Sequence, residues 1–130
     1  NHDTPVWLDP RVTTTALARL LENAAQYSPS GTSIRVSVDL ADSHDLVVAV
    51  ADEGPGIDAA DLPHVFERFY RGRAAEARTS GTGMGLWIVR GLLATQHGRV
   101  WVENRLPQGA RFTMQIPVRT KPLVDEEPTA

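Results

Sequence analysis

The chain has no cysteine, which removes disulfides and thiolate metal sites and fits a reducing compartment. It lacks any apolar run near the roughly 18 residues that a membrane span requires, and no signal-peptide pattern opens it. The fragment therefore reads as soluble, with any membrane anchor belonging to parts of a parent protein that are not present. Nor is there a basic excess: 13 Lys and Arg against 16 Asp and Glu give a net charge of −3, so a nucleic-acid surface is not indicated. The four histidines, His2, His44, His64 and His97, have no carboxylate or second histidine at metal-ligand spacing and read as surface or turn residues. What remains is 130 residues of ordinary apolar content, enough for one buried core and too few for two.

The patterning predicts a short first strand over Pro5-Val6-Trp7-Leu8 and then a helix. Asp9 is a capping carboxylate, and Pro10 has its backbone angle preset for the first helical position. The helix should run to about Ser28, where Pro29-Ser30-Gly31 ends it. Leu17, Leu20, Leu21 and Ala24 share its buried side, and Arg19, Glu22, Asn23 and Gln26 form a polar stripe opposite. That stripe is either plain solvated surface or a working face.

Ile34, Val36 and Val38 alternate with polar residues, and Leu46 to Ala51 is an apolar run, so the two read as a hairpin. Residues 52 to 82 carry little pattern beyond a helical piece from Asp61 to Phe69, with Leu62, Val65, Phe66 and Phe69 on one side. A mostly irregular stretch of that length in a compact domain points to function. A second long helix is predicted from Met84 to about His97, stopped by Gly98. Val100–Val102 and Arg111–Pro117 follow as two strands joined through Pro107-Gln108-Gly109. Trp7, Trp87 and Trp101 read as core or edge packing. The tail, residues 119 to 130, reads as disordered, leaving 1 to 118 as the globular domain. The element order describes an α/β two-layer sandwich: a mixed, largely antiparallel sheet with helices on one face.

Two glycine segments can carry chemistry. Asp52-Glu53-Gly54-Pro55-Gly56-Ile57 sits at the end of a buried strand, where the glycines allow a sharp turn against a ligand and the aspartate can accept from an exocyclic amine. The alternative is a simple turn with a solvated aspartate. Gly81-Thr82-Gly83-Met84-Gly85-Leu86 precedes a helix, so exposed N–H groups and the positive helix end suit a polyphosphate. It is neither a dinucleotide fingerprint, since no strand precedes it, nor a P-loop, since no Gly-Lys-Ser/Thr closes it.

Taken together and in order, these segments resemble the boxes of sensor histidine kinase ATP-binding domains. Residues 17–28 resemble the asparagine box, 52–57 the first glycine box, Val65 to Arg71 the phenylalanine box and 81–86 the second glycine box. Gly109-Ala110-Arg111-Phe112 is similar to the closing glycine turn and last strand. The resemblance covers roughly residues 5 to 118 and implies the Bergerat fold of the wider superfamily. It also implies ATP and Mg²⁺ as ligands, and transfer of the γ-phosphate to a histidine. By position, Asn23 resembles the Mg²⁺ ligand and Glu22 the carboxylate that activates or orients the acceptor histidine. Asp52 resembles the acceptor of the adenine amine, and Tyr27 packs beside the nucleoside. Gly54, Gly56 and Ile57 pass the base; Gly81, Thr82, Gly83, Met84, Gly85 and Leu86 line the phosphates. The intervening segment 70–82, with Arg71, Arg73 and Arg78, would be a mobile lid.

The partners implied are a dimerisation and phosphoacceptor domain, whose His-Glu or His-Asp box is absent here, and a response regulator. The implied location is cytoplasmic, with any inner-membrane anchor in other parts of the parent. The family usually has asparagine where Arg19 stands and a cation where Gln26 stands. A missing cation costs about 1.5–3 kcal/mol of charge-assisted phosphate binding. Arg19, one turn from Asn23, either replaces that charge or is a surface arginine. Glu67 and Arg68 are either a solvated pair or a lid anchor. Two rival readings stand beside the kinase: a serine-phosphorylating anti-sigma-factor kinase of the same superfamily, and a non-catalytic nucleotide-responsive scaffold.

Overall fold

A computed structural model describes residues 6–42, 44–67 and 84–120. After strand β1 (Val6–Trp7), helix α1 (Pro10–Tyr27) begins as the sequence predicts. Asp9 Oδ1 accepts from the backbone N–H groups of Arg11 (3.0 Å) and Val12 (3.4 Å), satisfying donors that the first turn leaves open. The helix closes with Ser28 N–H bonded to the Ala24 carbonyl at 3.0 Å. Ala16, Leu20 and Ala24 are buried, with Leu17 and Leu21 packed half-buried beside them.

Strands β2 (Arg35–Ala41), β3 (Asp45–Ala51), β4 (Arg99–Asn104) and β5 (Ala110–Pro117) form one sheet in the order β2-β3-β5-β4. The expected sheet was mixed but largely antiparallel, and every described pairing is antiparallel. Register puts Val36, Val50, Phe112 and Val102 in one row, and Val38, Val48, Met114 and Val100 in the next. Their β3, β5 and β4 members face α1 and helix α2 (Met84–Ala94): Val48, Val50, Phe112 and Met114 are buried with Leu20, Val89 and Leu93 in the core, and Val100 and Val102 pack half-buried against it. Because directly opposed residues in a ladder share a face, alternation alone builds that side. The two helices pack on each other, α1 also against β3 and α2 against β4. Edge strand β2 stays less covered: Val38 is 60% exposed. The Arg99 guanidinium lies over the Trp101 ring, 5.0 Å from its centroid, at the opposite edge.

Three expectations need correction. The second long helix ends at Ala94, not near His97. Gly98 N–H and Gln96 N–H both turn back to the Leu93 carbonyl, and His97 takes a left-handed φ of 60° that no helix continues through. The helical piece begun at Asp61 is a short 3-10 turn, Leu62–His64, over its described part. His64 N–H bonds Asp61 O and Glu67 N–H bonds His64 O, each spanning three residues, with Pro63 in the turn. The tail starts later than expected, because Arg119–Thr120 forms strand β6 paired antiparallel with β1; residues 121–130 lie outside the described residues. Among the described residues no helix is long and apolar enough to cross a membrane.

Candidate nucleotide site

The site begins where β3 ends. Ala51 completes the ladder, and Asp52 N–H still bonds the Ala110 carbonyl at 2.9 Å, so the Asp52 backbone is held at the sheet's edge as the chain leaves it. The residue is 3% exposed. Oδ1 accepts from Gly54 N–H (2.9 Å) and from Ala110 N–H (3.2 Å). Among the described residues nothing donates to Oδ2. Oδ2 is not among the fully buried atoms without a partner, so it reaches open space beside the loop, and with Oδ1 held by two N–H groups the carboxylate presents a directed acceptor there.

The glycines that follow are there for space. A Cβ on Gly54 would stand 2.6 Å from the Tyr27 carbonyl, so the end of α1 and the loop touch backbone to backbone only because this residue has none. Gly56 takes φ +82°, a region that side chains disfavour. This contact brings the polar stripe of α1 to the loop. Asn23 lies one turn before Tyr27, and Glu22 is about 100° round the helix from it. Asn23, Tyr27 and Arg19 are half-buried, while Glu22 and Gln26 are exposed. No described side-chain hydrogen bond holds Glu22, Asn23 or Gln26.

Of the other predicted site residues, Ile57 and Leu86 pack half-buried against the core. Met84 opens α2, and among the described residues nothing stands within 4 Å of where a Cβ on Gly85 would be. Gly81, Thr82 and Gly83 lie outside the described residues, as do the remainder of the lid, Arg68 and Phe69. Phe66 of the phenylalanine box stacks edge-on to Phe112, with ring centroids 6.0 Å apart. Glu67 pairs with His64 Nδ1 at 2.9 Å on the surface.

Sequence reasoning missed the residues that hold the loop from behind. Asn104, Arg105 and Gln108 all bond its backbone. In sequence they are a strand end and a turn, 47 to 55 residues away, with no local signal of that task.

The site is thus an antiparallel sheet under two helices, with a buried strand-end aspartate and a glycine loop against the polar face of the first helix. Residues 8–120 match the family described as histidine kinase-, DNA gyrase B- and HSP90-like ATPases, and the chain belongs to that family. It is 42% identical over 120 residues to the signal transduction histidine-protein kinase AfsQ2 of Streptomyces coelicolor, covering 92% of this chain and 22% of that protein. It is 38% identical to the sensor-like histidine kinase SenX3 of Mycobacterium tuberculosis, covering 92% of this chain and 29% of that one. The chain thus spans less than a third of these relatives. In structure it is similar to the mycobacterial sensor histidine kinase MprB, with TM-score 0.78, 29% identity, and 89% and 78% of the two chains covered. It is also similar to full-length ShkA in complex with AMPPNP (TM-score 0.76, 28% identity, 89% of this chain and 23% of that chain).

Proposed function

We propose that this chain is the ATP-binding catalytic domain of a two-component sensor histidine kinase. It holds ATP with Mg²⁺ and presents the γ-phosphate to a histidine on a separate dimerisation and phosphoacceptor domain, from which a response regulator is served. Membrane attachment, where a parent kinase has it, belongs to other parts, and this domain works in the cytoplasm. The observation that carries the reading is the Asp52 carboxylate: buried, with Oδ1 satisfied by two N–H groups and Oδ2 open. An exocyclic amine is the donor that such an oxygen fits.

The residues also fit the metal. Among the described residues no cluster of three or more His, Cys, Asp or Glu could hold an ion. Magnesium beside a nucleotide needs only one or two protein oxygens, the rest coming from phosphates and water. The Asn23 amide oxygen would be that ligand, and Mg²⁺ would supply charge neutralisation across the phosphate oxygens. Glu22, exposed on the neighbouring face of α1, would receive or orient the proton of the incoming histidine. Asp52 fixes the base, and Gly54 lets the helix and loop close around the nucleoside. Positioning of this kind is most of what phosphoryl transfer asks of a protein.

Calorimetry with ATP, with and without Mg²⁺, tests the reading. Binding should be seen and should strengthen with the metal. No heat and no shift in melting temperature at millimolar nucleotide would remove it.

A further inference from the structure

The turn between β4 and β5 reaches the 52–57 loop at three places, and each contact ends on loop backbone. Asn104 makes two bonds: its Oδ1 accepts from Ile57 N–H at 2.8 Å and its Nδ2 donates to Ile57 O at 2.8 Å. A side-chain amide thereby does for Ile57 what a neighbouring strand would do. Arg105 donates to the Asp52 carbonyl at 2.6 Å, and Gln108 donates to the Glu53 carbonyl at 2.7 Å. The turn itself is closed by Arg105 N–H on the Gly109 carbonyl at 2.8 Å. Gly109 has φ +104°, and a Cβ there would run into the Asp52 carbonyl. A Cβ on Gly56 would stand 3.0 Å from Asn104 Oδ1. The hairpin end and the loop are thus fitted to each other at both ends of the loop.

A segment with two glycines has much conformational freedom to lose. If nucleotide binding had to order it, that cost would come out of affinity; bonds from a sheet-anchored hairpin remove the cost beforehand. We propose that Asn104, supported by Arg105 and Gln108, is the positioning residue of the adenine-receiving loop. It acts through Ile57 to hold the Asp52 carboxylate in place, and so sets both nucleotide affinity and preference for the 6-amino group. The inference rests on the nucleotide-site reading of Asp52.

The experiment uses the 130-residue chain with ATP and with purine riboside triphosphate, which lacks the 6-amino group. Affinities are measured for the wild type, Asn104→Ala, Asn104→Asp and Glu103→Gln, together with amide exchange at Gly54 and Ile57. Asn104→Ala should weaken ATP roughly tenfold, bring the ratio of the two affinities toward one, and speed exchange at Ile57. Asn104→Asp keeps the acceptor for Ile57 N–H but loses the donor, and should fall between. Glu103→Gln breaks only the exposed pair with Arg111 on the same hairpin (2.6 Å) and should match the wild type. Unchanged affinity ratios in both Asn104 variants overturn the proposal, whether ATP binding is intact or falls with melting temperature, since a purely structural residue would not alter base preference. Wild-type chain that binds no ATP at all would instead dismiss the nucleotide reading before any variant is compared.

Discussion

The two ends of the candidate site are built in opposite ways. At the end proposed to receive the base, Asp52 is buried and its loop is bonded to protein at Gly54, Ala110, Asn104, Arg105 and Gln108. At the end proposed to meet the phosphates, Glu22, Asn23 and Gln26 project from α1 without a described side-chain hydrogen bond, Glu22 and Gln26 exposed. A neutral base is recognised by direction, so its acceptor has to be fixed before the ligand arrives. Phosphates and a metal bring strong charge of their own, so side chains there can stay uncommitted until bound. Affinity should therefore depend most on the first region and transfer on the second.

Substitutions can break that division. The largest effect is expected from Glu22→Gln, which removes a proton acceptor without touching the base. Phosphorylation of a phosphoacceptor domain supplied in trans should slow about a hundredfold, the scale of general-base catalysis, with ATP affinity unchanged by calorimetry. A wild-type rate would leave Glu22 only an orienting role. Asp52→Asn comes next. Its amide oxygen can still accept from Gly54 and Ala110, so the fold should survive, but the amide nitrogen then faces the base amine. ATP binding should weaken at least about tenfold with little change in melting temperature; equal affinity would remove Asp52 from the site.

Asn23→Ala is expected to act more narrowly. It should abolish most of the Mg²⁺ enhancement of binding while leaving metal-free affinity as it was, a comparison that calorimetry reads directly. The smallest effect is a gain. Gln26 is exposed, so a cation there recovers only a small part of a buried charge-assisted bond: Gln26→Lys should tighten ATP severalfold at low salt, the benefit shrinking as screening grows. A Gln26→Lys gain that ignored ionic strength would mean the residue works by packing, and the contrast between the two ends would lose its electrostatic basis.

Much of this was legible in the residues themselves. Asp9 and Pro10 marked the start of α1, Leu20 and Ala24 its buried side, and the apolar run to Ala51 the buried strand, because capping and periodicity are local. The family boxes stood in order, so Asp52, Asn23 and Glu22 could be nominated by position. Local pattern did less well where chain geometry competes with periodicity. Leu62, Val65 and Phe66 have helical spacing, yet a 3-10 turn forms around Pro63. The periodicity of α2 runs past Ala94, yet His97 and Gly98 turn the chain toward β4.

The sequence by itself determined the layers, the strand-end aspartate and the polar face of α1, since each depends on residues close together in the chain. Only the tertiary structure decided that Tyr27 and Gly54 meet, that Oδ1 of Asp52 is taken by protein while Oδ2 is left open, and that Asn104 holds Ile57. Apart from the local Gly54 bond to Asp52, those contacts join residues tens of positions apart through one or two hydrogen bonds or a backbone approach, which leave no period or composition in the chain to be read.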